Sequence, residues 1–263
     1  VLEPVGRNTA PAAAIAALIL LKNADDALML ISPADHIITD PASLTASIRA
    51  AAPLAAAGSL VTFGITPNAP KTGYGYIQQG EIIADGPAQE VARFVEKPDA
   101  ARAAEYIASG CYLWNSGIFL FSARLYLDEL ARRKPGILSA CLKALAEADD
   151  ELDFLRLAKK PFAAMTGDSI DYAVMEDCQK AAVIPIDVGW SDVGSWRELW
   201  QVAAHDIDDN LIEGDVIALD CQSSYIRSDG PLVAALGLNN IAVVATKDAI
   251  LVAPKDKAEA VKD

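Results

Sequence analysis

What most constrains this chain is the alternation of short apolar runs with alanine-rich stretches of helical length. LMLIS, SLVTFGIT, VARFV, YLWNSGIFLF and AAVIPI are short, bounded by turn residues and rich in β-branched and aromatic side chains, so they read as strands. Between them Ala10–Leu21, residues 42–57, Asp99–Ser109 and Ala123–Arg133 read as helices, with a break expected at Pro53. Such alternation predicts an α/β domain on a mixed, mostly parallel central sheet, with Met29–Ile31 as a buried parallel strand. YLWNSGIFLFSA reads as strand, turn, strand, with Asn115-Ser116-Gly117 as the turn. Residues 134–165 read as helical and charged, and SIDYAVMED as the start of a helix. From Asn210 onward the texture changes to short strands, with turn signals at Asp229-Gly230 and Asn239-Asn240, and then a final helix within Lys255–Asp263. Two regions follow: an α/β domain over 1–208 and a small β-rich appendage over 209–263.

The chain has 263 residues, 52% of them hydrophobic, enough for a sizeable core. Its formal charge is −14, and no basic cluster tracks a phosphate backbone, which excludes nucleic acid as the expected partner. An anionic ligand must therefore be held by a few local cations and backbone amides. The four cysteines lie far apart with no C-x-x-C pair, so reduced thiols and a cytoplasmic location are expected, without zinc. No stretch reads as a signal peptide or membrane span; the longest early apolar run is short and carries Pro11. The first residue is Val1, inside what reads as a strand end, so an N-terminal part is expected upstream.

Chemistry concentrates at a few places. RFVEKP puts Glu96 beside Lys97 and ends at Pro98. Glu96 can accept from two neighbouring hydroxyls, and Lys97 offers a compact cation to a phosphate oxygen. Asn115 both donates and accepts, and Gly117 leaves room for close backbone approach. The alternative is an exposed pair closing a strand. Neighbouring strand residues point to opposite faces, so both can touch one ligand only if the strand ends or bulges there. Glu3, Arg7, Asn8 and Thr9 crowd the start of the first helix, where free amides suit an anion or the polar edge of a base, and where a plain N-cap serves equally. Gly73 and Gly75 flank Tyr74, which suits either a ligand or a hairpin edge.

Asp35, beyond a strand end in Pro-Ala-Asp-His, is placed for a hard cation or to cap the next turn. His36 reads as structural, with no second titratable partner evident nearby. Ser169 and Asp171 open their helix with polar groups. Asp192 lies between Trp190 and Trp196 in a loop with Gly189 and Gly194, and needs either a metal or a hydrogen-bonded loop as partner.

The segments EPVGRNTAPA, PADH, TGYGYI, FVEKP, YLWNSGIFLF, SIDYAVME and GWSDVGSW, in this order, resemble those of the mannose-1-phosphate guanylyltransferase (GDP-mannose pyrophosphorylase) family, as does the β-rich tail. The resemblance implies a Rossmann-like nucleotidyltransferase fold. It implies the reaction of GTP with mannose 1-phosphate to give GDP-mannose and pyrophosphate, with Mg²⁺, and a cytoplasmic enzyme that can form a homodimer. Under it Asp35 and Asp192 are metal ligands, and Glu96, Asn115 and the Gly75 backbone contact mannose. Lys97 holds the sugar phosphate, Glu3, Arg7, Asn8 and Thr9 lie at the guanine and ribose, and Asp171 belongs to the substrate site. The family's opening glycine-rich loop, G-G-x-G-T-R-L-x-P, is not in this sequence. The chain by itself is accordingly expected to be inactive and prone to aggregate. Alternatives are a sugar-nucleotide-binding or regulatory homologue without catalysis, and a pyrophosphorylase for another sugar or nucleotide.

Overall fold

The computed structural model describes residues 1–83, 86–151 and 153–262. In chain order its elements are α1 (Thr9–Leu20), β1 (Leu28–Ile31), β2 (Ile37–Ile38), α2 (Pro41–Ala56), β3 (Leu60–Ile65), β4 (Gly75–Ile82), β5 (Gln89–Glu96), α3 (Ala100–Ser109), β6 (Tyr112–Ser122), α4 (Ala123–Arg133) and α5 (Pro135–Ala146). Then come β7 (Asp149–Glu151), β8 (Phe154–Arg156), α6 (Lys159–Ala164), a π-helical turn (Asp171–Met175), β9 (Ala181–Ile186), β10 (Trp190–Ser191), α7 (Trp196–Val202), β11 (Leu211–Leu219), β12 (Tyr225–Leu236), β13 (Ile241–Ala245), β14 (Ile250–Pro254) and a 3₁₀ turn (Ala258–Lys262). They form two compact units: Val1–Pro33 with Asp40–Val188, and Ala34–Thr39 with Gly189–Asp263.

The first unit is built on a mixed sheet in the order β1-β6-β3-β9-β5-β4, with β6 also pairing with β4. Leu60, Ile77, Phe94, Leu113, Phe119, Phe121 and Val183 from the sheet join α1, α4 and α5 in one core. Their alternation with Val61, Phe63, Tyr76 and Leu120, which lie outside that cluster, follows from the period of two along a strand. Phe121 stacks on Tyr126 of α4 at 5.0 Å, and each such buried ring contributes roughly 1.5–3 kcal/mol. Helix starts are set by local caps: Asp40, Asp99 and Ser122 accept from the backbone N–H three residues on.

The balance of the sheet differs from the mostly parallel one expected. Among the described residues only β3 and β9 run parallel; the other pairings in this sheet are antiparallel. The long β6 causes this, since β1, β3 and β4 all pair antiparallel to it. An apolar run does not reveal strand direction, and Met29–Ile31 is such a case. It is antiparallel, with Met29 buried but Leu28 and Leu30 exposed.

Asn115-Ser116-Gly117 is a bulge inside β6 instead of a turn. The register with β3 jumps from Thr62↔Phe119 to Gly64↔Asn115, and Gly117 takes φ 72°, a region open to glycine. Asn115 Oδ1 accepts from the Gly117 amide at 3.2 Å and Ser116 Oγ donates to the Phe63 carbonyl at 2.6 Å, which satisfies the buckled backbone. Helix α2 runs unbroken through Pro53. Arg49, whose carbonyl loses its bond, and Pro53 are both exposed, so the lost bond falls on the solvent side of the helix. Residues 134–165 contain the β7–β8 hairpin as well as helix, because Leu2 pairs beside it: its N–H donates to Leu155 O at 2.8 Å and its carbonyl accepts from Leu157 N at 3.2 Å.

In the second unit β11, β12 and β13 run parallel and β14 antiparallel. Leu211, Tyr225 and Ala242 stand side by side in successive strands, so the chain coils through its own repeats. Trp196 of α7 stacks on buried Tyr225 at 5.8 Å. Asn239-Asn240 is the turn expected, whereas Asp229-Gly230 lies within β12. There the register with β11 slips between Gly214 and Val216, and Arg227 Nη2 pairs with Asp229 at 2.8 Å across the kink. The residues after Lys255 form a 3₁₀ turn over Ala258–Lys262.

Candidate active site

The first unit gathers five of the sequence-derived candidates. Strand β5 ends at Glu96, and Lys97 follows with φ 48°, its N–H donating to Tyr74 O at 3.2 Å. That break lets two adjacent side chains serve one place: Lys97 Nζ stands 3.9 Å from Glu96 Oε1. Across the ladder Gly75 faces Glu96. A Cβ on Gly75 would sit 2.4 Å from Glu96 Oε2 and 3.2 Å from the Asn115 Cβ, so only glycine leaves this slot open. Glu96 Oε2 is itself buried and has no hydrogen-bond partner among the described residues. Burial, followed by the Asp171 charge, pushes the Glu96 carboxyl up to about 7; Lys97 opposes this and Glu176 adds to it.

Asn115 is fixed from three sides. Its Nδ2 donates to Asp171 Oδ1 at 2.8 Å, and its Oδ1 accepts from Thr62 Oγ1 and from the Gly117 N–H, both at 3.2 Å. Asp171 opens the π-helical turn, and burial raises its carboxyl against the pull of its own N–H, Ser169, Asn115 and Lys97. The expected helix is that π turn, closed by Glu176 N–H donating to Asp171 O at 2.9 Å. Burial and then the charges of Glu96, Glu176, Asp171 and Asp168 raise the Tyr172 hydroxyl. Thr62, Tyr172 and Glu176 were not singled out from sequence: Thr62 sits in an apolar strand, and nothing local marks the other two.

The start of α1 is tied to the same segment. Asn8, at φ 68°, is the N-cap and its Oδ1 takes the Thr9 N–H at 2.9 Å. Thr9 Oγ1 accepts from Ile170 N at 2.9 Å, and the Ala10 N–H reaches Asp168 O at 3.1 Å. The first helical amides, expected to be free for an anion, are therefore taken by the protein. Arg7 directs Nη2 to Ala163 O while its buried Nε has no partner. A Cβ on Gly167 would meet Arg7 O at 2.6 Å. Glu3 is exposed beside Leu2, burial raises its carboxyl, and its charge acts on Cys141, whose Sγ donates to Pro11 O at 3.8 Å.

Asp35 and Asp192 belong to the second unit, on either side of the β2–β10 ladder in which Ser191 pairs with Ile37. Both carboxylates act on His36, whose pKa is lowered by burial and raised by their charges. In Asp192, His36 thus has a second titratable neighbour that the sequence did not reveal. Trp190 Nε1 donates to His36 Nδ1 at 3.1 Å, with the rings edge to face. Asp192 is not held between Trp190 and Trp196, since those rings pack on His36 and Tyr225. Its Oδ1 accepts instead from Gly194 N at 3.4 Å, the hydrogen-bonded loop alternative. Buried Glu198, in a Ser195–Glu198 capping box, approaches the same glycine: a Cβ on Gly194 would lie 3.1 Å from Asp192 Oδ2 and 3.3 Å from Glu198 Oε2.

The donor chemistry fits a hard divalent cation. Mg²⁺ takes oxygen ligands from one or two carboxylates and completes its shell with phosphates and water. Asp35 is an exposed carboxylate with no hydrogen bond among the described residues, and Asp192 shares its electrostatic neighbourhood. No group of three or more metal-ligating side chains occurs among the described residues, as a protein-only cage would require.

Residues 1–209 match the family model described as nucleotidyl transferase, and residues 214–263 match that of the MannoseP isomerase/GMP-like beta-helix domain. The chain belongs to the nucleotidyl transferase family. It is similar to the mannose-1-phosphate guanylyltransferase of Escherichia coli (strain K12), with 49% identity over 267 residues covering 100% of this chain and 56% of that protein. Similarity to the xanthan biosynthesis protein XanB of Xanthomonas campestris pv. campestris (strain B100) is 51% over 262 residues, covering 100% and 55%. The chain spans about half the length of the curated relatives it matches. Among solved structures it superposes on mannose-1-phosphate geranyltransferase from Thermus thermophilus with TM-score 0.85 and 34% identity, covering 100% of this chain and 76% of that one. Nucleotidyl transferases of this kind generally work with a divalent metal. No helix among the described residues is long and apolar enough to cross a membrane, and all four cysteines are unpaired.

Proposed function

We propose that this nucleotidyl transferase makes GDP-mannose and pyrophosphate from GTP and mannose 1-phosphate. The observation that carries this is the slot between Gly75 and Glu96. A buried carboxylate oxygen lacks a donor there among the described residues, and only a glycine opposite leaves that oxygen room against the backbone. A sugar hydroxyl pair would satisfy Glu96, with Asn115 and Asp171 as polar neighbours. Lys97, beside Glu96 and largely exposed, is the cation within reach for the sugar phosphate.

In the reaction a phosphate oxygen of mannose 1-phosphate attacks the α-phosphorus of GTP. The bond from that phosphorus to the β-bridging oxygen breaks, and pyrophosphate leaves with the electron pair. The nucleophile is already an anion, so no covalent enzyme intermediate is needed. Glu96 and Asn115 orient the sugar, and Lys97 aligns and neutralises the attacking phosphate. Asp35 and Asp192 would hold Mg²⁺, which when bound supplies charge neutralisation for the phosphates.

Arg7, Asn8 and Thr9 are assigned to the nucleotide, with Glu3 as the acceptor for guanine N–H groups. The tie from Thr9 to Ile170 supports one continuous site, because it joins this loop to the segment carrying Asp171. Unpaired thiols agree with work in the cytoplasm. Exposed Ile217, Leu236, Ile250 and Val252 on the second unit support a homodimer, which light scattering would test. The assignment of substrates is tested by ³¹P NMR of the full-length protein with a panel of nucleoside triphosphates and sugar 1-phosphates. GTP with mannose 1-phosphate should give the highest kcat/KM; a clear preference for another pair would replace this assignment.

A further inference from the structure

Within the second unit a cavity of ≈ 430 Å³ opens between α7 and the turns at the end of the sheet, and none of its lining residues is among those assigned above. Two cations face it. Arg197 is exposed on α7 and has no hydrogen bond or ion pair among the described residues. Lys255 is buried, only 4% exposed, with Nζ 2.9 Å from the centroid of the Trp200 ring. No carboxylate lies within salt-bridge distance of either group among the described residues. Asp256 also lines the cavity, paired with neither, and Asp209 is engaged by His205 at 3.1 Å and by Ser223 Oγ at 3.0 Å. Burial lowers the Lys255 ammonium to about 8; Asp209 opposes this, while the Arg197 charge lowers it further, so the two cations feel each other.

Bringing like charges together costs free energy, and a buried ammonium is costly again unless something compensates it. The ring of Trp200 compensates one face of Lys255. It cannot serve Arg197. In a chain of formal charge −14, carboxylates to pair with both were plentiful. Neutral donors stand around the same opening: the side chains of Gln201 and Asn240 line it without hydrogen bonds to other described residues. A guanidinium, an ammonium and amide donors converging on one opening match the oxygens of a tetrahedral dianion. The Trp200 ring already has His205 stacked on it at 4.5 Å, which leaves it poorly disposed to take a base.

We propose that this cavity is a binding site for a phosphate group, on inorganic phosphate, pyrophosphate or a small phosphate ester, with Arg197 and Lys255 as its cations. None of the residues lining it is assigned to GTP or mannose 1-phosphate.

The test uses full-length protein labelled with 5-fluorotryptophan, in which Trp200→Phe identifies the ¹⁹F resonance of Trp200. Phosphate, pyrophosphate and mannose 1-phosphate are titrated in turn, with sodium chloride at matched ionic strength as control. The Trp200 resonance should shift saturably with a phosphate compound and not with chloride. The three arms show whether free phosphate, pyrophosphate or an ester binds tightest. Arg197→Gln, at an exposed position, should weaken that binding about tenfold or more without changing Tm. Lys255→Met should abolish it; because that change also removes the contact with Trp200, Arg197→Gln is the deciding variant. A Trp200 resonance that ignores every phosphate compound, follows chloride equally, or titrates unchanged in Arg197→Gln would overturn the proposal.

Discussion

A side-chain carbon on Gly75 would stand 2.4 Å from Glu96 Oε2, so the bare backbone of one residue is what lets the carboxylate of the other lie where it does. Gly75→Ala should push the Glu96 side chain aside while leaving the β4–β5 ladder paired. Displacements of about 1 Å at such a site cost on the order of 10²-fold. In steady-state kinetics of the full-length protein, kcat/KM for mannose 1-phosphate should fall by about that factor and the KM for GTP should change little. An unchanged sugar KM would mean that the slot is not used.

Glu96 also ties stability to pH. Its carboxyl is raised from 4.5 to about 7 in the folded protein, so between those values the folded state binds more protons than the unfolded one. Its stabilising contribution is then complete below about pH 4.5 and lost as pH rises through about 7, a change of roughly 3 kcal/mol at most. Glu96→Gln should remove that loss and be the more stable form at pH 8, while binding the sugar phosphate less well. Denaturant unfolding across this pH range measures it; parallel profiles for the two proteins would contradict the burial of an ionising Glu96.

Asn115 carries three hydrogen bonds that lock the bulge of β6 to β3 and to Asp171. Asn115→Ala takes one hydrogen bond each from Asp171 and Thr62, which keep Ser169 and the Ile118 carbonyl, and should cost about 1–3 kcal/mol. It should also raise the KM for mannose 1-phosphate. If stability drops without any kinetic change, the residue is structural only.

How much of this was legible beforehand follows from which signals are local. The strands and helices of the first unit were read from apolar runs and caps, and the end of β5 at Glu96 from Pro98. Strand direction was not, because β6 pairs with β1, β3 and β4 through contacts that no local pattern records. The Asn115-Ser116-Gly117 segment carries the same residues whether it turns or bulges, and only pairing with β3 decides. The site was recognised by motif, but what fixes its geometry was hidden: Thr62 behind Asn115, and the Thr9 hydroxyl under Ile170. His36 showed no second titratable partner, and Asp192 meets it only when Ile37 pairs with Ser191.

Asp192 tests the metal assignment. Its carboxylate is held by the Gly194 amide in a loop with Val193 at φ 50°. Asp192→Asn keeps an acceptor for that amide and removes the charge. The fold and Tm should survive, while the stabilisation of the protein by Mg²⁺ in thermal unfolding should be lost together with most Mg²⁺-dependent turnover. Retained stabilisation and near-normal turnover at saturating Mg²⁺ would remove Asp192 from the site.

Whether Glu96 recognises sugar hydroxyls is tested most directly by comparing mannose 1-phosphate with its 2-deoxy and 3-deoxy analogues. GDP-sugar formation is followed by ³¹P NMR in the full-length wild-type protein and in Glu96→Ala. A site built to hydrogen-bond a hydroxyl discriminates against the analogue lacking it by a large factor, on the order of 10²-fold or more. The wild type should make GDP-mannose and pyrophosphate and show that discrimination for at least one analogue, and Glu96→Ala should lose it. No GDP-mannose from the wild type, or undiminished discrimination in Glu96→Ala, would contradict the role given to the Gly75–Glu96 slot.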